Sequence, residues 1–119
     1  MPYPLSRETA LRCEEVVRST GAIPATIGML SGHIHVGLDA KQIDRLASEA
    51  NVNKIKLSRR DIAPAIAKKL DGGTTIAGTM VLAHLAGIKV FSTGGLGGVH
   101  RGGENCMQYI GTSIYKLLA

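Results

Sequence analysis

Three segments of this chain place amide-rich backbone, hydroxyls and cations where a phosphate could be held. The first is Lys56-Leu57-Ser58-Arg59-Arg60-Asp61, which reads as the end of a short strand running into a helix. Strand ends followed by helix N-termini present free N–H groups to anions. Six of the 14 basic residues fall between positions 54 and 69, against a single acid, Asp61. Lys54, Lys68 and Lys69 read as a solvated charged surface, the usual fate of a charge run. Lys56, Ser58 and Arg59 stand at the strand terminus, where an anion site competes evenly with plain surface. The second segment, Gly72-Gly73-Thr74-Thr75-Ile76, is a glycine turn entering a helix start and offers backbone amides and two hydroxyls. Taken alone it reads as a Thr cap after a flexible turn. The third, residues 92–103, carries six glycines between positions 94 and 103 and includes Thr93, His100 and Arg101. So many glycines after a strand let backbone approach a ligand closely, so a ligand loop is favoured over mobile surface. It is not a Walker loop, because no Gly-Lys-Ser/Thr follows, nor a dinucleotide fingerprint, because His100 stands where the third glycine belongs.

Other chemistry-bearing residues are weaker candidates. His33-x-His35 supplies two metal-type ligands without a third nearby and reads as a strand with two exposed histidines. His84 falls within a helix stripe and reads as structural. Cys13 reads as a buried helix residue, and Cys106 has no evident base partner. Two cysteines without CxxC spacing point to a reducing compartment rather than a disulfide framework. A net charge of +5 attracts anions but does not choose between nucleic acid and phosphorylated metabolites. Aromatics are only 3% of the chain, which argues against a base-stacking platform. A small basic nucleic-acid-binding domain therefore has only the charge in its favour.

The elements that must position these residues follow from periodicity and caps. Ser6 is expected to cap a helix reaching about Thr20, with Gly21 ending it. Residues 23–30 read as a buried strand, Ser31-Gly32 as a turn and residues 33–36 as a short alternating strand. Asp39 caps a second helix with Ile43, Leu46, Ala47 and Ala50 on one stripe. Residues 54–57 form a strand, and Asp61 caps a third helix to about Leu70 with Pro64 in its first turn. Asp71-Gly72-Gly73 reads as a loop, Thr74 and Thr75 start a fourth helix to Ala86, and residues 88–91 read as a strand. This alternation predicts an α/β fold with a mostly parallel sheet. The 119 residues suffice for one domain. No apolar run reaches the roughly 18 residues of a transmembrane helix and no leader is evident, so a soluble, cytoplasmic protein is expected.

Taken together, Gly21-Ala22-Ile23-Pro24-Ala25-Thr26-Ile27, the Lys56 motif and the stretch from Gly87 to Gly102 resemble the pseudouridine-5′-phosphate glycosidases, also called pseudouridylate synthases. The resemblance runs almost continuously from Met1 to about Glu104. It implies a partial three-layer α/β/α domain over residues 1–104, truncated at both ends relative to the family, and a divergent tail over 105–119. It further implies reversible cleavage of the C–C glycosidic bond of pseudouridine 5′-phosphate to uracil and ribose 5-phosphate, a divalent metal (typically Mn2+) and a homotrimer. Neither nucleic acid nor membrane is expected as a partner. The family mechanism opens the ribose ring, forms a Schiff base on a lysine and uses a glutamate as acid.

Residue by residue, the resemblance makes Lys56 a substrate-binding lysine and Ile76 a backbone contact to substrate, and it puts Thr93 and His100 in the glycine-rich active-site loop. Lys56 is not the Schiff-base lysine, which the family places well downstream. The family's acid glutamate, in an Ala-Leu-Glu-Ser-Thr-type strand before the Met-Pro segment, has no counterpart here. Gln108 stands where the metal-binding Asp would fall. No catalytic residue and no metal ligand are therefore assigned, and the isolated chain is expected to be inactive. The alternative expectation is a non-catalytic remnant that binds sugar phosphate or joins an oligomer.

Overall fold

A computed structural model describes residues 3–93. Helix α1 (Leu5–Ser19) is followed by strands β1 (Ile27–Leu30) and β2 (His33–Val36), then α2 (Ala40–Ala47) and β3 (Lys54–Leu57). A 3-10 turn (Arg59–Asp61) leads into α3 (Ile62–Ala67), β4 (Asp71–Thr74) and α4 (Ile76–Leu85). The fold is α/β, as expected.

The sheet is mixed. Its order is β2-β1-β4-β3; β1 is antiparallel to both β2 and β4, and only β3 and β4 are parallel. The expected mostly parallel sheet is thus corrected to a mostly antiparallel one, for two local reasons. Ser31 and Gly32 both have positive φ, 50° and 77°, the signature of a two-residue turn that closes an antiparallel hairpin. The other reason is that Asp71-Gly72-Gly73, read as a loop, is strand β4 inserted between β1 and β3. Its glycines serve close packing: a Cβ on Gly72 would stand 3.2 Å from the Cβ of Leu57.

Alternation along β1 sends Met29 to one face and Leu30 to the other. Met29 joins Leu57, Ala65 and Leu82 in a core beneath α3 and α4. Leu30 joins Leu38 and Ile43, with Ala10, Leu11 and Leu46 packed against them, beneath α1 and α2. Gly28 lies on this second face, where a Cβ would come within 2.9 Å of Leu46 and 3.0 Å of Leu38, so the glycine lets α2 close on the sheet.

Caps hold where they were read at α2 and α4, but not at α1 or α3. Asp39 and Gln42 form a reciprocal capping box at α2, and the Thr75 hydroxyl accepts from the Gly78 N–H at α4. Helix α1 instead begins after Pro4, whose carbonyl accepts from the N–H groups of Arg7 and Glu8, leaving Ser6 inside the first turn with a buried hydroxyl that has no hydrogen-bond partner. Asp61 makes no side-chain cap at α3; its carboxylate accepts from the Ser58 N–H and holds the 3-10 turn. Residues 88–91, expected as a strand, pair with no strand among the described residues, and Val90 is 84% exposed. Apolar β-favouring residues form a strand only against a hydrogen-bonded neighbour. Among the described residues no helix is long and apolar enough to cross a membrane.

Candidate functional site

The only parallel pair in the described sheet positions the candidate site. Strands β3 and β4 run in register, with Lys56 opposite Gly73 and Leu57 opposite Thr74, so both end at the same end of the sheet. The Thr75 N–H donates to the Leu57 carbonyl at 2.9 Å, tying the start of α4 to the end of β3. Gly78 seals the junction, because a Cβ there would run into the Leu57 carbonyl oxygen. Ile76 is therefore the first residue of a helix whose N-terminus is fixed beside the strand that carries Lys56.

This arrangement can hold an anion. The Thr75 cap satisfies Gly78, but the N–H groups of Ile76 and Ala77 lie in the first turn and have no intrahelical acceptor. The helix dipole adds partial positive charge at this terminus. Lys56 is exposed and makes no hydrogen bond or ion pair with a described residue, and its neighbour Gly73 is open with nothing within 4 Å of a built Cβ. Arg59 is likewise exposed at the strand end. Of the two threonine hydroxyls expected to help, Thr74 is engaged elsewhere: it donates to the Ile27 carbonyl at 3.4 Å and accepts from Thr79 at 2.8 Å. That bond brings the entry to β1, and with it the segment ending in Thr26-Ile27, to the same end of the sheet.

The register thus places Lys56 and Ile76 at the same end of the sheet, with Lys56, by alternation from Leu57, on the α2 face and α4 on the other. Thr93 is exposed at the end of the described residues, whereas His100 and Gln108 lie outside them. No group of three or more His, Cys, Asp or Glu residues that could hold a metal occurs among the described residues. His33 is exposed, as expected, whereas His35 is half-buried; both lie on strand β2. Cys13, expected to be buried, is exposed, as is His84, which was read as structural; on α1 it is Glu14 that turns inward, accepting from Thr26 at 2.7 Å and from Arg18 at 3.0 Å. Lys54 has a structural role, since its ammonium donates to the carbonyls of Ala47 and Ser48 at the end of α2.

One polar cluster escaped the reading of the sequence. Asp71, 3% exposed, accepts from the Ser31 N–H at 2.7 Å, from Nε and Nη2 of Arg45 at 2.8 Å each, and from Asn51 at 2.6 Å. Burial alone would raise its carboxyl, but the bonds from Ser31, Arg45 and Asn51, with the Arg45 charge, hold it below the ordinary 3.8. The cluster borders an open hollow of about 570 Å³ at the sheet end opposite Lys56. With every carboxylate oxygen bonded, it is a clamp joining β4, the hairpin turn and α2.

Comparison with known proteins shows what the chain is similar to. The family model for indigoidine synthase A-like proteins matches residues 1–112. A pseudouridine-5′-phosphate glycosidase from Clostridium botulinum is 56% identical over 104 residues, covering 87% of this chain and 34% of its own length. One from Herpetosiphon aurantiacus is 54% identical over 105 residues, again covering 34% of its length. Among solved structures, the prealnumycin C-glycosynthase AlnA in complex with ribulose 5-phosphate is 49% identical, with a TM-score of 0.68 over 87% of this chain. An indigoidine synthase A-like protein from Thermotoga maritima is 32% identical, with a TM-score of 0.71 over 86% of this chain. The chain spans about a third of the length of the curated relatives it matches. With the family model matching residues 1–112 and its α/β fold shared, the chain belongs to the pseudouridine-5′-phosphate glycosidase, or indigoidine synthase A-like, family.

Proposed function

We propose that this chain carries the sugar-phosphate-binding part of a pseudouridine-5′-phosphate glycosidase, an enzyme that reversibly cleaves the C–C glycosidic bond of pseudouridine 5′-phosphate to uracil and ribose 5-phosphate. The observation that carries the reading is the parallel register of β3 and β4, which sets Lys56, unpaired among the described residues, at the same sheet end as the amide-bearing first turn of α4. Lys56 neutralises charge on the sugar phosphate, and the Ile76 N–H orients it by a directional bond. Thr93 and His100 extend the same site from the glycine-rich segment. The ribulose 5-phosphate held by the related AlnA supports a pentose phosphate as the ligand class. Manganese, uracil and a homotrimeric assembly complete the reading at the level of the whole enzyme. By itself this chain binds and does not turn over, because about two thirds of the Clostridium botulinum glycosidase has no counterpart in it.

Calorimetric titration tests the proposal. Ribose 5-phosphate is expected to bind measurably more tightly than ribose, and Lys56→Ala to remove most of that difference. Equal affinity for the two sugars, or none for either, would overturn it.

A further inference from the structure

Three glycines lie within the four described strands, Gly28, Gly72 and Gly73, and packing accounts for two of them. A Cβ on Gly28 would meet Leu46 and Leu38 at 2.9 and 3.0 Å, and one on Gly72 would meet Leu57 at 3.2 Å. Gly73 is the exception. A Cβ built there finds nothing within 4 Å, and its φ is not among the positive ones, so its backbone would accept an L side chain. A glycine inside a strand forgoes side-chain packing and leaves the unfolded chain more freedom to lose. No close contact within the fold requires this one, and the other use of a strand glycine is close approach of a ligand.

The position of Gly73 in the sheet says which ligand. Leu57 packs beneath α3 and α4, so alternation turns Lys56 to the opposite face, where Lys56, Gly73 and Gly28 form one row across β3, β4 and β1. Helix α2 crosses this face obliquely. Leu38, just before the helix, and Leu46 stand over Gly28. Arg45 reaches Asp71, two residues before Gly73 on β4. The carbonyls of Ala47 and Ser48, at the far end of α2, meet Lys54, two residues before Lys56 on β3. The corner that α2 leaves uncovered is that of Gly73 and Lys56. Gly73 is accordingly exposed, although β4 is an inner strand flanked by β1 and β3. Sheet faces in layered α/β folds are ordinarily covered.

We infer that Gly73 is a specificity-determining contact residue: its bare backbone is the floor on which the pentose of the sugar phosphate lies, with the phosphate held by Lys56 on the neighbouring strand. Adjacent strands are about 4.8 Å apart, a spacing that suits a phosphate and the sugar ring that carries it. Leu46, above Gly28, bounds the floor on the β1 side. A side chain at position 73 would take the place of the sugar, so the missing Cβ selects a ligand that lies flat on the sheet. This inference rests on the sugar-phosphate reading of the site and adds to it where the pentose sits.

Urea unfolding and calorimetry of the full chain carrying Gly73→Ala or Gly73→Val test it. Both variants should fold with a urea midpoint at or above that of the wild type, because the new side chain meets no atom of the fold and stiffens the strand. Gly73→Ala should weaken ribose 5-phosphate and ribose by the same factor, about tenfold to a hundredfold, the usual effect of one methyl-sized change in a pocket. Gly73→Val should abolish binding of both. Lys56→Ala, in contrast, should weaken ribose 5-phosphate and leave ribose alone. A lowered midpoint, or failure to fold, would show that the glycine serves the fold and would overturn the inference. So would unchanged affinity in Gly73→Val, or a loss confined to ribose 5-phosphate, which would put position 73 beneath the phosphate. If Lys56→Ala removes the preference for ribose 5-phosphate while Gly73→Val binds like the wild type, the site stands and the role of Gly73 falls. If the wild type binds neither sugar, the sugar-phosphate reading fails and this inference with it.

Discussion

The Leu57 carbonyl accepts the Thr75 N–H at 2.9 Å, and this bond decides where the candidate site lies. It joins the end of a strand to the start of a helix 18 residues later in sequence, so the Lys56 ammonium and the α4 N-terminus share one end of the sheet. Either element displaced alone would leave an exposed cation or an ordinary cap.

Gly78→Ala tests how tightly that junction is closed. In an open helix the change would stabilise by about 1 kcal/mol, because Ala has the higher helix propensity. Here the new methyl meets the Leu57 carbonyl oxygen, and overpacking against backbone costs about 1–3 kcal/mol. The clash wins. We expect a lower urea midpoint with unchanged slope, and weaker ribose 5-phosphate binding because the Ile76 amide is pushed outward. A stabilised variant would show that α4 is free to shift.

The Asp71 clamp predicts a specific acid sensitivity. Its folded carboxyl titrates below 3.8, the ordinary value, so between the two values the unfolded chain binds more protons. The contribution is fully present above the unfolded value and fades as pH falls through the folded one. Asp71→Asn should therefore be about 1–3 kcal/mol less stable than the wild type near pH 6, from lost charge-assisted hydrogen bonds. The gap should close progressively below about pH 3.8. Denaturant unfolding at several pH values measures it, and a constant gap at all of them would contradict the assignment.

Two cap residues give opposite expectations. Asp39→Ala removes the carboxylate half of the capping box with Gln42, leaving the residue-39 N–H to donate to the Gln42 side chain, and should cost about 1 kcal/mol. Ser6→Ala should cost nothing and stabilises slightly, since Ser6 lies within the helix with a buried, unpartnered hydroxyl and Ala is the better helix former. Thermal unfolding of the two variants separates a true cap from a residue that only has a cap's identity.

The contrast explains what was legible. Asp39 three residues before Gln42, and Lys-Ile-Lys-Leu alternating at β3, carry their structure in local pattern. Ser31-Gly32 marked its turn for the same reason. Strand β4 was illegible because Asp-Gly-Gly-Thr has the composition of a turn; Gly72 stands in the sheet because Leu57 leaves no room for a side chain, which is a tertiary demand. Its insertion between β1 and β3, which makes the sheet mostly antiparallel, has no local signature. Residues 88–91 err the other way, since propensity favours a strand but a strand also needs a neighbour. At the site, Lys56 and Ile76 are proposed by resemblance alone, and the engagement of Thr74 in internal hydrogen bonds has no local signature.

The last prediction separates two lysines of one strand. Lys54 and Lys56 are two residues apart on β3 and so project from the same face, yet their surroundings differ. Lys54 donates to the Ala47 and Ser48 carbonyls, where a cation complements the C-terminal end of α2, an interaction worth about 0.3–1 kcal/mol. Lys56 has no partner among the described residues and stands beside Gly73 at the open sheet end. Lys54→Met should therefore lower stability by several tenths of a kcal/mol and leave the affinity for ribose 5-phosphate unchanged. Lys56→Met should leave stability unchanged and weaken ribose 5-phosphate about tenfold, the effect of losing one charge-assisted contact of about 1.4 kcal/mol. Ribose affinity should not respond to either change. Urea unfolding and calorimetry on the two variants give the four numbers needed. Equal loss of affinity in both would mean that the basic surface attracts phosphate only diffusely, through its net charge, and that the register of β3 and β4 confers no site.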